Sequence, residues 1–207
     1  MARLRGRAEF CVFDAPEVGR FGVSICYDIW FPEVTRTLTA MGAEVILNPV
    51  LAQFVDRPAD LAIAQASAAM FQSYVFHING LAAGGNGYSM VIDPSGQVLH
   101  RGSVNEELIP IEVDFDLVRR QRKRGLLGMG QPLKSFRDTA VRFPVYEPGF
   151  DRSYLDSLGP LEKPTRERSA PWRQQESAGH AAQPESGTPA SHDTADSDFV
   201  EPLNFNA

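Results

Sequence analysis

The chain has 207 residues, a formal net charge of −6 and 43% hydrophobic residues. That length predicts one domain, with room for an appendage. The acidic balance argues against nucleic-acid binding as the main task, and with no apolar run of eighteen residues no membrane helix is expected. The charge is unevenly placed: residues 151–207 carry five basic and ten acidic residues, so the first 150 are close to neutral. The basic start (Arg3, Arg5, Arg7) leads into Glu9 without an apolar core, which predicts no signal peptide. Two cysteines, Cys11 and Cys26, make no disulfide framework, so a cytoplasmic location is expected.

In chain order, residues 10–13 and 21–25 read as two strands of a hairpin joined by a turn at 17–20. Cys11 lies inside the first run and reads as a small buried hydrophobe. The second run ends at Cys26. Phe31, Pro32 and Glu33 then open a helix: proline suits the first helical turn and glutamate its positive end. Cys26 is thus expected at an elbow where a strand passes into a helix, near N–H groups that lack intrahelical partners. Such groups stabilise a thiolate and an oxyanion.

The helix is expected over 32–41, with Gly42 as its stop. A strand over 43–47 closes a β-α-β unit with parallel strands. Asn48, Pro49 and Val50 then fall at the carboxyl end of that strand, where open α/β sheets bind ligands. A helix is expected over 60–73 and a strand over 74–78, ended by Asn79 and Gly80. The glycines at 84–87 read as a tight turn, since no phosphate-cradle spacing accompanies them. Strands over 88–92 and 97–100 form a hairpin, and 108–113 reads as a further strand. A helix capped near Asp114 runs to Arg124, its basic residues reading as a solvated face. Beyond Gly149 there are six prolines and few large apolar residues, so 150–207 is expected to be a disordered acidic tail and 1–149 the folded domain.

The segment Cys26, Tyr27, Asp28, Ile29, Trp30, Phe31, Pro32, Glu33 resembles the nucleophile motif of the nitrilase, or carbon–nitrogen hydrolase, superfamily, in its amidase-type branch. The resemblance continues through residues 42–49, through Tyr74, Val75 and Asn79, and through 89–96, in the family's order, and covers about residues 8–147. Trp30 stands where arginine is usual, which bears on substrate preference. The resemblance implies an α/β fold, part of a four-layer α-β-β-α sandwich. It implies hydrolysis of a small amide, carbamoyl compound or nitrile through a thioester on a cysteine, here Cys26. The main-chain N–H of Tyr27 would be an oxyanion donor, and Trp30, Asn48, Val50 and Asn79 would line the pocket.

The family's triad also has a glutamate and a lysine, both well before the cysteine. Here Glu9, Asp14 and Glu17 match no such motif, and no lysine precedes Lys123. The chain therefore reads as the second half of the fold, as a fragment of a longer protein or a degenerate member. Acyl transfer to an amine is a weaker variant of the same chemistry. Lys134 matches no role in the family, and a Cys–His site would need His77 or His100 beside Cys26. No cofactor is implied, and the four histidines show no metal-ligand spacing. The expected partners are a small-molecule amide or nitrile and further copies of the chain. The rival reading is a non-catalytic remnant that serves as a binding or assembly module.

Overall fold

In the computed structural model, which describes residues 9–53, 56–82 and 84–162 apart from the side chain of Leu127, the chain opens with a hairpin. Strand β1 (Cys11–Ala15) pairs antiparallel with β2 (Gly19–Val23). Past the elbow, α1 (Pro32–Ala40) leads to β3 (Val45–Val50), which lies parallel to β2. Helix α2 (Arg57–Phe71) leads in the same way to β4 (Tyr74–Asn79), parallel to β3. A small antiparallel pair, β5 (Leu81–Ala82) and β6 (Gly85–Asn86), replaces the plain glycine turn. Strands β7 (Met90–Ile92) and β8 (Val98–Arg101) complete the hairpin, its turn held by the Asp93 carboxylate accepting from Ser95 N and Gln97 N. The six-stranded sheet runs β1-β2-β3-β4-β7-β8. The mixed α/β architecture agrees with the expected fold class. Among the described residues the other sheet is the two-stranded β5–β6 pair, not the second large sheet of a four-layer sandwich.

Side-chain alternation divides the sheet into two faces. Ile46, Val75, Met90 and Ile92 meet Leu38 of α1 and Ala64 and Ala68 of α2 on one face. Gly22 lets α1 come close there: a Cβ on it would lie 3.0 Å from Ala43 Cβ and 3.2 Å from Leu38 Cβ. Val45 and Tyr74 face the other way, toward Val118 of α3 (Phe115–Arg124). Asp114 caps α3, its carboxylate accepting from Leu117 N at 2.9 Å.

The basic face of α3 is solvated as expected at Arg119, Arg120, Lys123 and Arg124, which are exposed. Arg119 pairs with Glu44 at 2.8 Å and Arg120 with Asp114 at 2.9 Å. Arg122 is partly buried and donates to the carbonyls of Gln72 (3.0 Å) and Ala43 (2.6 Å), just past the carboxyl ends of α2 and α1. A cation is favourable at such ends, yet burial pushes its pKa down to about 10.

Three expectations are corrected. Residues 108–113 form no strand: Leu108 is fully exposed, while Val113 packs in the Val118 cluster. This stretch leads from the edge strand β8 onto a face of the sheet instead of extending its edge. Cys11 is exposed, because its strand is the sheet edge and the neighbouring Val12 takes the inward position. Asn48, Pro49 and Val50 belong to β3 itself, whose pairing with β4 continues to Val50 opposite Asn79.

After α3 come α4 (Pro132–Asp138) and α5 (Ser153–Ser157), neither with a buried residue. Helix α5 lies where the tail was expected to begin. The compact unit ends at Leu161, and the rest of that expected tail, 163–207, lies outside the described residues.

Candidate active site

Beyond Val23 the chain keeps the β2–β3 ladder for one more bond, Ser24 N–H to Leu47 O at 3.0 Å. It then winds into a 3-10 turn over Cys26–Trp30, followed directly by α1. Cys26 is exposed and has φ +53°, in the left-handed region. For a residue with a side chain that conformation costs about 1–3 kcal/mol and persists only where the surroundings enforce it. The turn is closed by Asp28, whose N–H donates to Ile25 O (3.1 Å) and whose carboxylate accepts from Ile25 N (2.9 Å). The N–H groups of Cys26 and Tyr27 precede the first bond of this turn, so they are the free donors of a helix start. The elbow inferred from sequence is therefore present, at the carboxyl end of β2.

The β2–β3 register, carried one residue past Val23, sets Ser24 beside Asn48, while Val50 pairs with Asn79 at the end of β3. Trp30 is partly exposed; its ring stacks on Tyr27 (5.8 Å between centroids), and Tyr27 meets Phe31 edge-on (5.3 Å). Asn48 is fully buried, Val50 and Asn79 nearly so. The Asn79 amide donates to the carbonyls of Ala52 and Gly87 and accepts from Ala52 N at 2.9 Å, which ties the β3 end to the loop after β4.

Sequence reasoning passed over a polar cluster beneath this elbow. The Asn48 amide nitrogen donates to Ser24 O and Ser24 Oγ, both at 3.0 Å. Asn48 Oδ1 lies 2.6 Å from His77 Nδ1. His77 Nε2 lies 2.8 Å from Asp60 Oδ2 and 2.7 Å from Arg57 Nη1, which itself reaches Asp60 Oδ2 at 2.9 Å. Trp30 Nε1–H donates to the other carboxylate oxygen of Asp60 at 3.1 Å. Burial works against ionisation of Asp60, but bonding to His77 and Trp30 and the Arg57 charge outweigh it, holding the carboxyl below its ordinary range. Burial also lowers the Arg57 pKa, against the opposing pull of Asp60. The signal was legible: Ser24, Asn48 and His77 are polar residues inside otherwise apolar strands, and such residues need buried partners.

The other candidates lie elsewhere. Lys134 Nζ donates to the carbonyl of Lys123 at 2.5 Å. Glu33 accepts a hydrogen bond from Tyr146 Oη, which lowers its pKa. His100 faces Glu107 at 3.2 Å. A wide surface cleft lined by Asp14, Arg20, Glu44 and Arg119 lies at the amino ends of β2 and β3, away from Cys26. Among the described residues no group of three or more metal-ligating side chains converges, and no helix is long and apolar enough to cross a membrane.

Cys26 is thus an exposed cysteine held at a left-handed elbow just past the carboxyl end of a parallel strand. The family model for carbon–nitrogen hydrolases matches residues 4–123, and the chain belongs to that family. It is similar to a deaminated glutathione amidase of Dictyostelium discoideum (33% identity, over 58% of this chain and 43% of that one). It is also similar to an (R)-stereoselective amidase of Pseudomonas sp (34%, over 50% and 40%) and to a nitrilase of Pyrococcus abyssi (33%, over 56% and 45%). The chain thus spans less than half the length of these relatives. Among solved structures, the carbon–nitrogen hydrolase of Helicobacter pylori G27 shares the fold, with a TM-score of 0.50 at 21% identity, over 70% of this chain and 51% of that one.

Proposed function

We propose that this chain carries the nucleophile of a hydrolase of non-peptide carbon–nitrogen bonds, with a small amide, carbamoyl compound or nitrile as substrate. The observation that carries the reading is Cys26, exposed at φ +53° at the strand-to-helix elbow. Its Sγ, as thiolate, attacks the carbonyl or nitrile carbon and forms a C–S bond. For an amide, the negative oxygen of the tetrahedral intermediate takes hydrogen bonds from main-chain donors, the Tyr27 N–H among them. Collapse expels the protonated nitrogen as ammonia or an amine, and a water cleaves the thioester to release the acid and restore the thiol.

Trp30 flanks the thiol in this reading. Asn48, Val50 and Asn79 shape the rim from beneath. The cycle also needs a proton carrier and a cation at the oxyanion. Asp28, Glu33 and Lys134 already have partners within the chain. We place both missing groups in a segment or chain that completes the fold, in keeping with the share of the relatives that is spanned here. A cytoplasmic location and assembly with further copies are part of the same proposal.

One observation favours the rival reading, a non-catalytic assembly module. Ile25 (61% exposed), Tyr27 and Phe31 form an apolar surface around the elbow of the kind partners cover. Measurement separates the two. The purified chain, offered a panel of small amides and nitriles, is expected to show an adduct at Cys26 by mass spectrometry, and to release ammonia when the segment or chain that completes the fold is supplied. Cys26→Ala is expected to lose at least about a thousandfold in rate, as loss of a nucleophile does, while Cys11→Ala keeps its rate. Ammonia release that survives Cys26→Ala sinks the thioester mechanism. No release and no adduct in the unaltered chain leave the assembly module.

A further inference from the structure

We infer that Asn48, His77 and Asp60 are positioning residues that clamp the Cys26 elbow from beneath and hold it in its left-handed form. This rests on the reading of Cys26 as nucleophile.

Alternation along the strands and the parallel registers put Ser24, Asn48 and His77 in one row, across three neighbouring strands, on the face that α1 and α2 cover. All three are fully buried, so none of them can hand a proton to a substrate. Their donors and acceptors are ordered from Ser24 through Asn48 to His77 Nδ1. The Ser24 carbonyl can only accept, so the Asn48 atom facing it is the amide nitrogen. Asn48 then presents its oxygen to His77, whose Nδ1 must carry the proton. His77 Nε2 sits between a donor, Arg57, and an acceptor, Asp60. The second oxygen of Asp60 returns to the elbow through Trp30 Nε1–H. The cluster thus grips the elbow on both flanks, two residues before Cys26 and four after it. An apolar row of the same volume would pack between sheet and helix at least as well as buried charges do. A polar row whose two ends both bond to the strained turn is what orientation of that turn requires.

The test uses the full chain, with Cys11, exposed on the edge strand, as internal reference. Two readouts are taken: amide exchange at Ile25 and Asp28, which bond across the turn, and the Cys26-to-Cys11 ratio of iodoacetamide alkylation rates. Asn48→Leu keeps the volume and removes the bonds to Ser24 and His77. It is expected to speed exchange at these amides about tenfold, by local opening, and to lower the alkylation ratio several-fold. Trp30→Phe cuts only the bond to Asp60 at a partly exposed site and is expected to move both readouts the same way by less; it carries the test if Asn48→Leu does not fold. Val118→Ala, a buried truncation on the opposite face, is expected to leave both unchanged. The clamp is refuted if Trp30→Phe and a folded Asn48→Leu both leave the turn unaltered, or if Val118→Ala moves it equally. The acyl adduct at Cys26 in the unaltered chain is scored separately. Its absence overturns the nucleophile reading, while the exchange data still decide whether the row holds the turn.

Discussion

Asp60→Ala is expected to lower the unfolding free energy by about 3–5 kcal/mol, the range for breaking a buried ion pair by removing one partner. Asp60 and Arg57 are only 4% and 3% exposed. Among the described residues the carboxylate is the acidic group bonded to Arg57 Nη1, and it is also a partner of His77 and Trp30. Without it the guanidinium stays buried and uncompensated, which is the source of the loss. The diagnostic is the cycle: Arg57→Leu combined with Asp60→Leu should cost far less than either alone, because no unpaired charge remains. Urea unfolding of the four proteins measures the coupling, and additive losses would refute it. The pH dependence has a definite sign. The Asp60 pKa is lowered on folding. Its contribution is therefore complete above the unfolded carboxyl value of about 3.9 and is lost as pH falls through the folded value. In Asp60→Asn that part of the acid limb should vanish.

Phe71→Ala should cost about 3–5 kcal/mol, as removal of a buried ring leaves a cavity in addition to the lost transfer energy. Phe71 is the last residue of α2 and is 1% exposed. Its ring lies under the Arg36 guanidinium of α1, 5.1 Å from the centroid, so it joins the two helices that cover the sheet. Phe71→Leu keeps most of the volume and should lose less than half as much. Denaturant titration with an unchanged m-value checks this. A loss below about 1 kcal/mol for the alanine variant, a third or less of what a buried ring predicts, would mean that this end of α2 is not packed as described.

Much of the fold was readable because its signals are local. Pro32 and Glu33 open α1 where expected, Asp114 caps α3, and the Asp93 turn joins a real hairpin. The apolar runs ending at Val23, in β3 and in β4 are parallel neighbours. Residues 108–113 were misread because an apolar run does not say whether a strand edge is free to receive it. Cys11 was misread because a short apolar run looks the same at a sheet edge as at its centre.

The amino-acid order alone determined the nucleophile candidate and the turn around it, since Cys26, Asp28, Pro32 and Glu33 act on their own backbone within one or two turns. Only the tertiary structure decided that Ser24, Asn48 and His77, which are 24 and 29 residues apart in sequence, stand in one row. It alone decided that Asp60 bonds both that row and Trp30. The reason is physical: hydrogen bonds between strands and helices depend on register and packing, and these are set when the sheet closes against α2.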